Sequence, residues 1–337
     1  DHRDLHLSIR RQRQMCIRDR SRIICEICGF TRVCKKSIQI PLQKIVKKMI
    51  TYKSIFITGA SSYIGKMIAN NLKNRFKLVL LINRRKISIP GVNTEIVKGG
   101  LANMEKHSDI IQNTDLILHL AGITHSNSED EYLDVNLEGT RNLLNVCRKD
   151  QPIIYLSTMC STKEGGGYSR SKYFAEQTII ESGLPYNIVR ASEVYGSKSR
   201  EGIDLLLYLA IHYKILVDFK WSPKVNYSPI SIDELAQFIT EMVLLGKVKD
   251  QIYTICNNKV YTIHDIQIAL EKALGKKLFR IPVPIAFLKI LCKFGVPVPF
   301  KRDQLDRLIM EKSYDNSQAN NDFSFDPISF LDYLEQK

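Results

Sequence analysis

KSIFITGASSYIGKMIANNLKNRF, residues 53–76, reads as a short apolar strand, a turn carrying Gly59 and Gly65, and an amphipathic helix. A strand apolar along nearly its whole length belongs in a parallel sheet covered on both faces. The turn after it must bend tightly, let an anion approach the backbone and aim a helix N-terminus at that anion. Gly59 serves the bend and Gly65 the close packing of helix on sheet, while Ser62 stands where a third glycine would. Any strand–helix unit can carry a glycine turn, so its weight comes from the elements on its C-terminal side.

KLVLLINRR (77–85) reads as a second strand, EIVKGG (95–100) as a third, HSDIIQNT (107–114) as a helix and DLILHLAG (115–122) as a fourth strand. DEYLDVNLEGTRNLLNVCRKD (130–150) then reads as one long helix and PIIYLST (152–158) as the next strand. This order predicts an α/β architecture, a doubly wound Rossmann-type parallel sheet. A helix runs from Tyr168 to about Ser182, and YNIVRASEVYG (186–196) supplies one more core strand. Beyond it the alternation is irregular, with helices at 203–214, 231–245 and 262–275 and a short strand in QIYTICN (251–257). We expect a Rossmann core over 49–200, with 201–337 forming mainly a smaller C-terminal substrate-binding lobe interleaved with that core.

With 337 residues, 44% of them hydrophobic, the chain can bury a large core. Its net charge of +14 first suggests nucleic acid, but the distribution argues otherwise. Residues 1–48 hold 13 Lys/Arg against 4 Asp/Glu, which leaves only +5 for the rest. Residues 1–20 resemble the translation of a sequencing adapter and 21–48 upstream read-through, so we expect 1–48 to be a non-native extension and Met49 the start. Cys25-x-x-Cys28 and Cys34 lack a fourth zinc ligand outside the adapter-like Cys16, and no metal is expected. The other four cysteines show no paired spacing, as in a reducing cytoplasm. No apolar run approaches the roughly 20 residues that span a bilayer. PIAFLKILCKFGVPVPF (284–300) is interrupted by Lys289, Lys293 and two prolines. The expectation is a soluble protein with no integral membrane segment and no nucleic-acid partner.

Two further stretches carry chemistry. In GGGYSRSKYFAE (165–176), Tyr168 and Lys172 are four apart and share a helix face. A nearby ammonium favours phenolate and lowers a phenol pKa that is about 10 in water, so Tyr168 could pass a proton near neutrality. At the end of the second strand, an acid would bind a ribose 2′-hydroxyl and a base a 2′-phosphate. Asn83-Arg84-Arg85 stands there, which tilts the cofactor to NADP, with NAD the alternative.

TGASSYIG (58–65), DLILHLAG, VNLEGT (135–140), YLST (155–158), YSRSK (168–172) and RASEVYG (190–196), in that order, resemble the extended short-chain dehydrogenase/reductases, the NAD-dependent epimerase/dehydratase group. The resemblance covers about 51–337. It implies catalytic Thr158, Tyr168 and Lys172 with supporting Asn136, and Ser157 as understudy to Thr158 beside the substrate. Tyr168 would be the acid/base on the substrate oxygen, with Lys172 lowering its pKa and holding the nicotinamide ribose. Thr158 would hydrogen-bond the reacting oxygen, and Asn136 would hold a water linking Lys172 to solvent. The cofactor would lie along Gly59, Ser61, Ser62, Tyr63, Ile64 and Gly65, beside Arg84, and against Leu120, Ala121 and Gly122. Two departures stand out: a short Thr158–Tyr168 spacing, and RASEVYG without a proline after its arginine.

The C-terminal stretches 281–295 and 303–336 resemble bacterial nucleotide-sugar enzymes of surface polysaccharide synthesis. That implies a UDP-(N-acetylamino) sugar as substrate, with 4-keto reduction or C4 epimerisation as the reaction, and Arg307 on the substrate diphosphate. Tyr227 stands where the family often has another phosphate-binding arginine. Met159 and Cys160 follow Thr158 in place of the acidic pair of dehydratases, which argues against dehydration. The resemblance also implies a homodimer paired through the Tyr168/Lys172 helix. A rival from another class is a non-catalytic NAD(P)-binding assembly or sensor protein on the same fold. Such proteins tend to lose the Tyr or the Lys, and this chain keeps both.

Overall fold

The computed structural model describes residues 52–335 apart from 86, 88, 90–92, 127, 198–201, 220–223, 297, 299–301 and 311–313. The readings made for 1–48, including Cys16, Cys25, Cys28 and Cys34, lie outside the described residues. Seven strands make one parallel sheet: β1 (Ser54–Thr58), β2 (Lys77–Ile82), β3 (Thr94–Lys98), β4 (Leu116–His119), β5 (Ile153–Thr158), β6 (Tyr186–Ala191) and β10 (Gln251–Ile255). Their order is β10-β6-β5-β4-β1-β2-β3, every pairing parallel. The chain winds one way through β1, β2 and β3 and the other way from β4 onward. The crevice outside the carboxyl ends of β1 and β4 is therefore the switch point where such sheets bind ligands.

Alternation along the strands feeds two cores. Ile55, Ile57, Leu78 and Leu80 face one side and Phe56, Val79 and Leu81 the other, all buried. Each side chain so buried contributes about 1.5–3 kcal/mol, which is why the strands are apolar throughout. The first core packs under α1 (Tyr63–Leu72) and the second under α2 (Ser108–Gln112), α4 (Gly139–Asn145) and α5 (Gly167–Glu181). The predicted long helix 130–150 divides into α3 (Glu129–Tyr132), a π turn over Leu133–Glu138, and α4.

The later part of the chain contributes to both the sheet and the lobe. QIYTICN supplies β10, which extends the main sheet beyond β6. α7 (Ile232–Leu245) packs beside α1, with Leu235, Phe238, Ile239 and Met242 in the first core. Its capping box joins Ser231 and Glu234. Two smaller pairs, β7 (Val194–Tyr195) with β9 (Ile230–Ser231) and β8 (Ile215–Asp218) with β11 (Phe279–Pro282), stand outside the sheet. Two satellite cores hold β7 and β8 against α6 (Gly202–Tyr208), α8 (Ile263–Ala273), α9 (Ile285–Lys293), α10 (Arg302–Leu308) and α12 (Phe330–Glu335). α11 (Ser317–Phe323) returns to the sheet edge, where Asp322 accepts from Tyr253 of β10 at 2.8 Å. Among the described residues no helix is long and apolar enough to cross a membrane.

Candidate active site

At the end of β1, Gly59 has a φ of +70°, a region that strains any L side chain. A Cβ there would also come within 2.6 Å of the Ala121 nitrogen and 2.7 Å of the Leu120 carbonyl carbon, so Gly59 lets the ends of β1 and β4 meet. A Cβ on Gly65 would strike the Gly59 carbonyl oxygen. Ser62 is in ordinary extended geometry at φ −70° and caps α1 by accepting from the Gly65 N–H at 3.0 Å. α1 carries no acid in its first turn, and Ile64 lines the crevice. Ser61 is partly buried and Tyr63 exposed. The positive end of a ten-residue helix with no acid in its first turn fits the pyrophosphate of a dinucleotide. Arg84 and Arg85 lie exposed just past β2.

The crevice has a volume of about 300 Å³, and its walls include Leu120, Gly122, Thr158, Tyr168, Lys172 and Arg307. α5 presents Tyr168 and Lys172 from successive turns, at 8% and 5% exposure. The Tyr168 hydroxyl faces the Thr158 side chain, whose Oγ1 accepts from the Cys160 N–H at 3.2 Å. Lys172 Nζ donates to the Leu156 carbonyl at 2.7 Å and lies 4.2 Å from the Tyr155 ring centroid. Burial brings Lys172 down to about 7, partly opposed by the Glu176 carboxylate.

The expectation that Lys172 depresses the Tyr168 pKa needs revision. Burial raises the phenol above its ordinary value, and the charge that opposes this most is Arg307, whose guanidinium lies 4.4 Å from the ring centroid. Lys172 directs its ammonium to a backbone carbonyl and a neighbouring ring instead. Arg307 is held by Asp303, with Nε 3.1 Å from Oδ2, and donates to the Thr124 carbonyl at 2.9 Å.

The three glycines before Tyr168 let this group close up. A Cβ on Gly166 would sit 2.6 Å from Asp303 Oδ1, one on Gly167 would sit 2.9 Å from Tyr132 Cδ2, and one on Gly165 would strike the Ser169 side chain. Tyr227 holds the end of α10 by donating its hydroxyl to the Leu308 carbonyl. Ser157 reaches the crevice wall, but its hydroxyl donates to Glu176, a fully buried carboxylate that Arg190 grips with Nε at 3.1 Å and Nη2 at 2.5 Å. Ser157 therefore braces the wall rather than standing in for Thr158.

Asn136 sits in the π turn, an irregularity that often marks functional sites. Its Oδ1 accepts from the Ile123 N–H at 2.8 Å, and its Nδ2 donates to the Ile123 carbonyl at 3.1 Å and to Ser171 Oγ at 3.0 Å. Gly122 lies between it and the lysine: a Cβ there would be 3.0 Å from Asn136 Oδ1 and 3.8 Å from Lys172 Nζ. Asn136 thus clamps the loop after β4 to α5. Sequence reasoning missed Asp303, Tyr132 and Glu176. The i,i+4 pair in DQLDR and the glutamate four residues after Lys172 were the available signals.

The sequence model of the NAD dependent epimerase/dehydratase family matches residues 55–211. A UDP-glucose 4-epimerase of Vibrio cholerae is 23% identical over 307 residues, 82% of this chain and 91% of that protein. Among solved structures, the UDP-glucuronic acid 4-epimerase from Bacillus cereus, in complex with UDP-glucuronic acid and NAD, aligns with a TM-score of 0.65 at 18% identity, covering 84% of this chain and 99% of that one. An epimerase from Methanothermobacter thermautotrophicus aligns with a TM-score of 0.68 at 16% identity, covering 88% and 94%. These two likenesses are of fold. With the sheet order, the glycine turn and the family match all in agreement, residues 55–211 carry the sequence pattern of the NAD dependent epimerase/dehydratase family.

Proposed function

We propose that the chain is an NAD(P)-dependent nucleotide-sugar oxidoreductase. Its reaction is reduction of a 4-keto group, or epimerisation at C4, of a UDP-(N-acetylamino) sugar for surface polysaccharide. One observation carries this reading: Thr158, Tyr168 and Lys172 line a single crevice at the sheet's switch point, beside the Gly59 turn. The activity of the Vibrio relative and the UDP-glucuronic acid and NAD bound by the Bacillus enzyme support the substrate class.

A bound nicotinamide would supply or accept the hydride. Tyr168 gives its hydroxyl proton to the substrate oxygen in reduction and takes one in oxidation, while Thr158 orients that oxygen. Lys172, which exchanges its proton near neutrality, is suited to resupply Tyr168 and to reach ribose hydroxyls. Arg307 is placed to exchange its Asp303 contact for a substrate diphosphate. The exposed Arg84 and Arg85, with no acid next to them in the sequence, favour the NADP form. Pairing of two copies through the outer face of α5, where Tyr173 and Phe174 meet edge to face at 5.5 Å, belongs to the same reading.

The test is incubation with 4-keto and 4-hydroxy UDP-sugars, following nicotinamide absorbance and product mass. Net NADPH oxidation identifies a reductase, and a C4 epimer formed without net absorbance change identifies an epimerase. Cofactor binding with no turnover of any sugar, unaffected by Tyr168→Phe, replaces this reading with that of a binding protein.

A further inference from the structure

A buried hydrogen-bond chain runs behind the crevice through residues to which no chemical role has been given. Thr58 Oγ1 accepts from the Ala121 N–H at 3.1 Å and lies 2.6 Å from His119 Nδ1. His119 Nε2 lies 3.0 Å from Thr140 Oγ1, which donates to the Asn136 carbonyl at 2.6 Å. Thr58, His119 and Thr140 are fully buried.

Counting protons fixes the direction of every bond. The Asn136 carbonyl can only accept, so it takes the one Thr140 hydroxyl proton, and Thr140 Oγ1 must accept from His119 Nε2–H. A neutral imidazole protonated at Nε2 has a bare Nδ1, which accepts the Thr58 hydroxyl proton. Thr58 is then left as acceptor for the Ala121 N–H. Burial keeps the ring neutral, lowering it to about 3, and the Lys172 ammonium adds to that effect. The groups that face the ring agree with this: Tyr155 lies 5.1 Å away, centroid to centroid, and carries Lys172 Nζ over its own ring.

The chain ends on the π turn. A hydroxyl that bonds back to the carbonyl four residues earlier bends a helix, and Thr140 does this to Asn136 where the helical ladder is widened. The position of the Asn136 carbonyl therefore depends on Thr140, and the lone pair that steadies Thr140 is filled by His119. We propose that His119, as the neutral Nε2–H tautomer, is a positioning residue: with Thr140 it clamps the π turn that aims Asn136 at Ile123 and Ser171, and with Thr58 it ties that turn to the end of β4 where a cofactor would lie. Only the kinetic half of its test rests on the proposed function.

The direct experiment is ¹⁵N NMR of the histidine side chains in the full chain, with the His119 signals assigned from their absence in His119→Gln. The expected result is a protonated Nε2 and a bare Nδ1, unchanged from about pH 5.5 to about pH 9. A proton on Nδ1, or an imidazolium in that range, overturns the proposal. The second measurement compares Thr140→Val, which removes only the hydroxyl, with Thr140→Ser, which keeps it. Thr140→Val should shift the His119 Nε2 signal and lower kcat about tenfold, the size of one lost buried hydrogen bond, with sugar KM within about twofold. Thr140→Ser should recover at least about half of the wild-type kcat, and His119→Gln added to Thr140→Val should cost no more than the larger single change. Equal kcat in the Val and Ser variants overturns the positioning role. If the wild-type protein turns over no nucleotide sugar, the proposed function falls, while the tautomer and its response to Thr140→Val still decide the relay.

Discussion

On the sheet side of the crevice, the chemistry is placed by backbone. Gly59 meets Leu120 and Ala121, Lys172 donates to the Leu156 carbonyl, and Asn136 binds both backbone groups of Ile123. On the α10 side, placement comes mainly from side chains: Asp303 on Arg307, Arg307 over Tyr168, and Tyr227 on the end of the helix. The first arrangement is anchored on backbone groups at the ends of the sheet's strands and in the loop after β4. The second rests on a handful of contacts between segments far apart in the chain. On the proposed function, the sheet side would set the reaction and the α10 side what is admitted to it.

Tyr168→Phe tests the sheet side with the largest effect. Removing one hydroxyl from a ring already packed among Tyr132, Thr158 and Arg307 should leave the fold and cofactor affinity intact, while kcat falls about 10²–10⁴-fold. Isothermal titration with NADPH alongside steady-state kinetics reads both. Retained turnover would sink the assignment of Tyr168 as the proton donor. Arg307→Gln tests the other wall and should raise the KM for the sugar about tenfold or more, with a smaller change in kcat, because a guanidinium–phosphate contact is lost. Arg307→Lys should recover only part of that, since a point charge cannot form the planar fork. A fall in kcat with KM unchanged would break the contrast between the walls and make Arg307 part of the proton-transfer group.

The same contrast explains what could be read in the chain beforehand. The strands were legible because burial on both faces demands unbroken apolar runs, and the glycine turn because Gly59 has no substitute at its φ and spacing. The Tyr168/Lys172 pair was legible from helical spacing and from the motifs around it. Its electrostatics were not, because the direction of a phenol's pKa depends on how deeply the tertiary fold buries it and on which cation it brings near; here burial raises it, and the cation that opposes burial most is Arg307, 139 residues further along. QIYTICN reads as a strand from its own residues, but nothing local says that its partner is β6 rather than a strand of the lobe. Nor does periodicity show the π turn, since one extra residue per turn leaves the apolar pattern of 130–150 nearly unchanged.

A smaller effect sharpens the cofactor end of the sheet side. Arg84→Asp, at an exposed position just past β2, should leave stability unchanged and lower the ratio of NADPH to NADH affinity by about tenfold or more, since an acid there repels a 2′-phosphate and can bind a 2′-hydroxyl. Measuring both dissociation constants checks it. An unchanged ratio removes Arg84 from cofactor selection.

Lys172 gives the smallest effect and the one whose sign is most constrained. Its pKa falls from 10.5 to about 7 on folding, chiefly through burial. Between those values the unfolded chain holds the proton and the folded chain does not, so stability rises with pH across that window. Below about 7 both states hold the proton and the folded state carries the full penalty of a buried ammonium. Lys172→Met keeps the length of the side chain and removes the charge, at the cost of the hydrogen bond to the Leu156 carbonyl, a loss that does not vary with pH. In the cofactor-free protein, the Tm of the variant minus that of the wild type should therefore be most positive near about pH 6.5 and fall by about 2 °C or more on going to about pH 9.5, given roughly 2–4 °C per kcal/mol for domains of about 150–250 residues and less for a longer chain. A difference that stays constant across the window means that the folded state holds Lys172 protonated throughout. The sheet side would then carry a permanent cation at Lys172, as the α10 side does at Arg307.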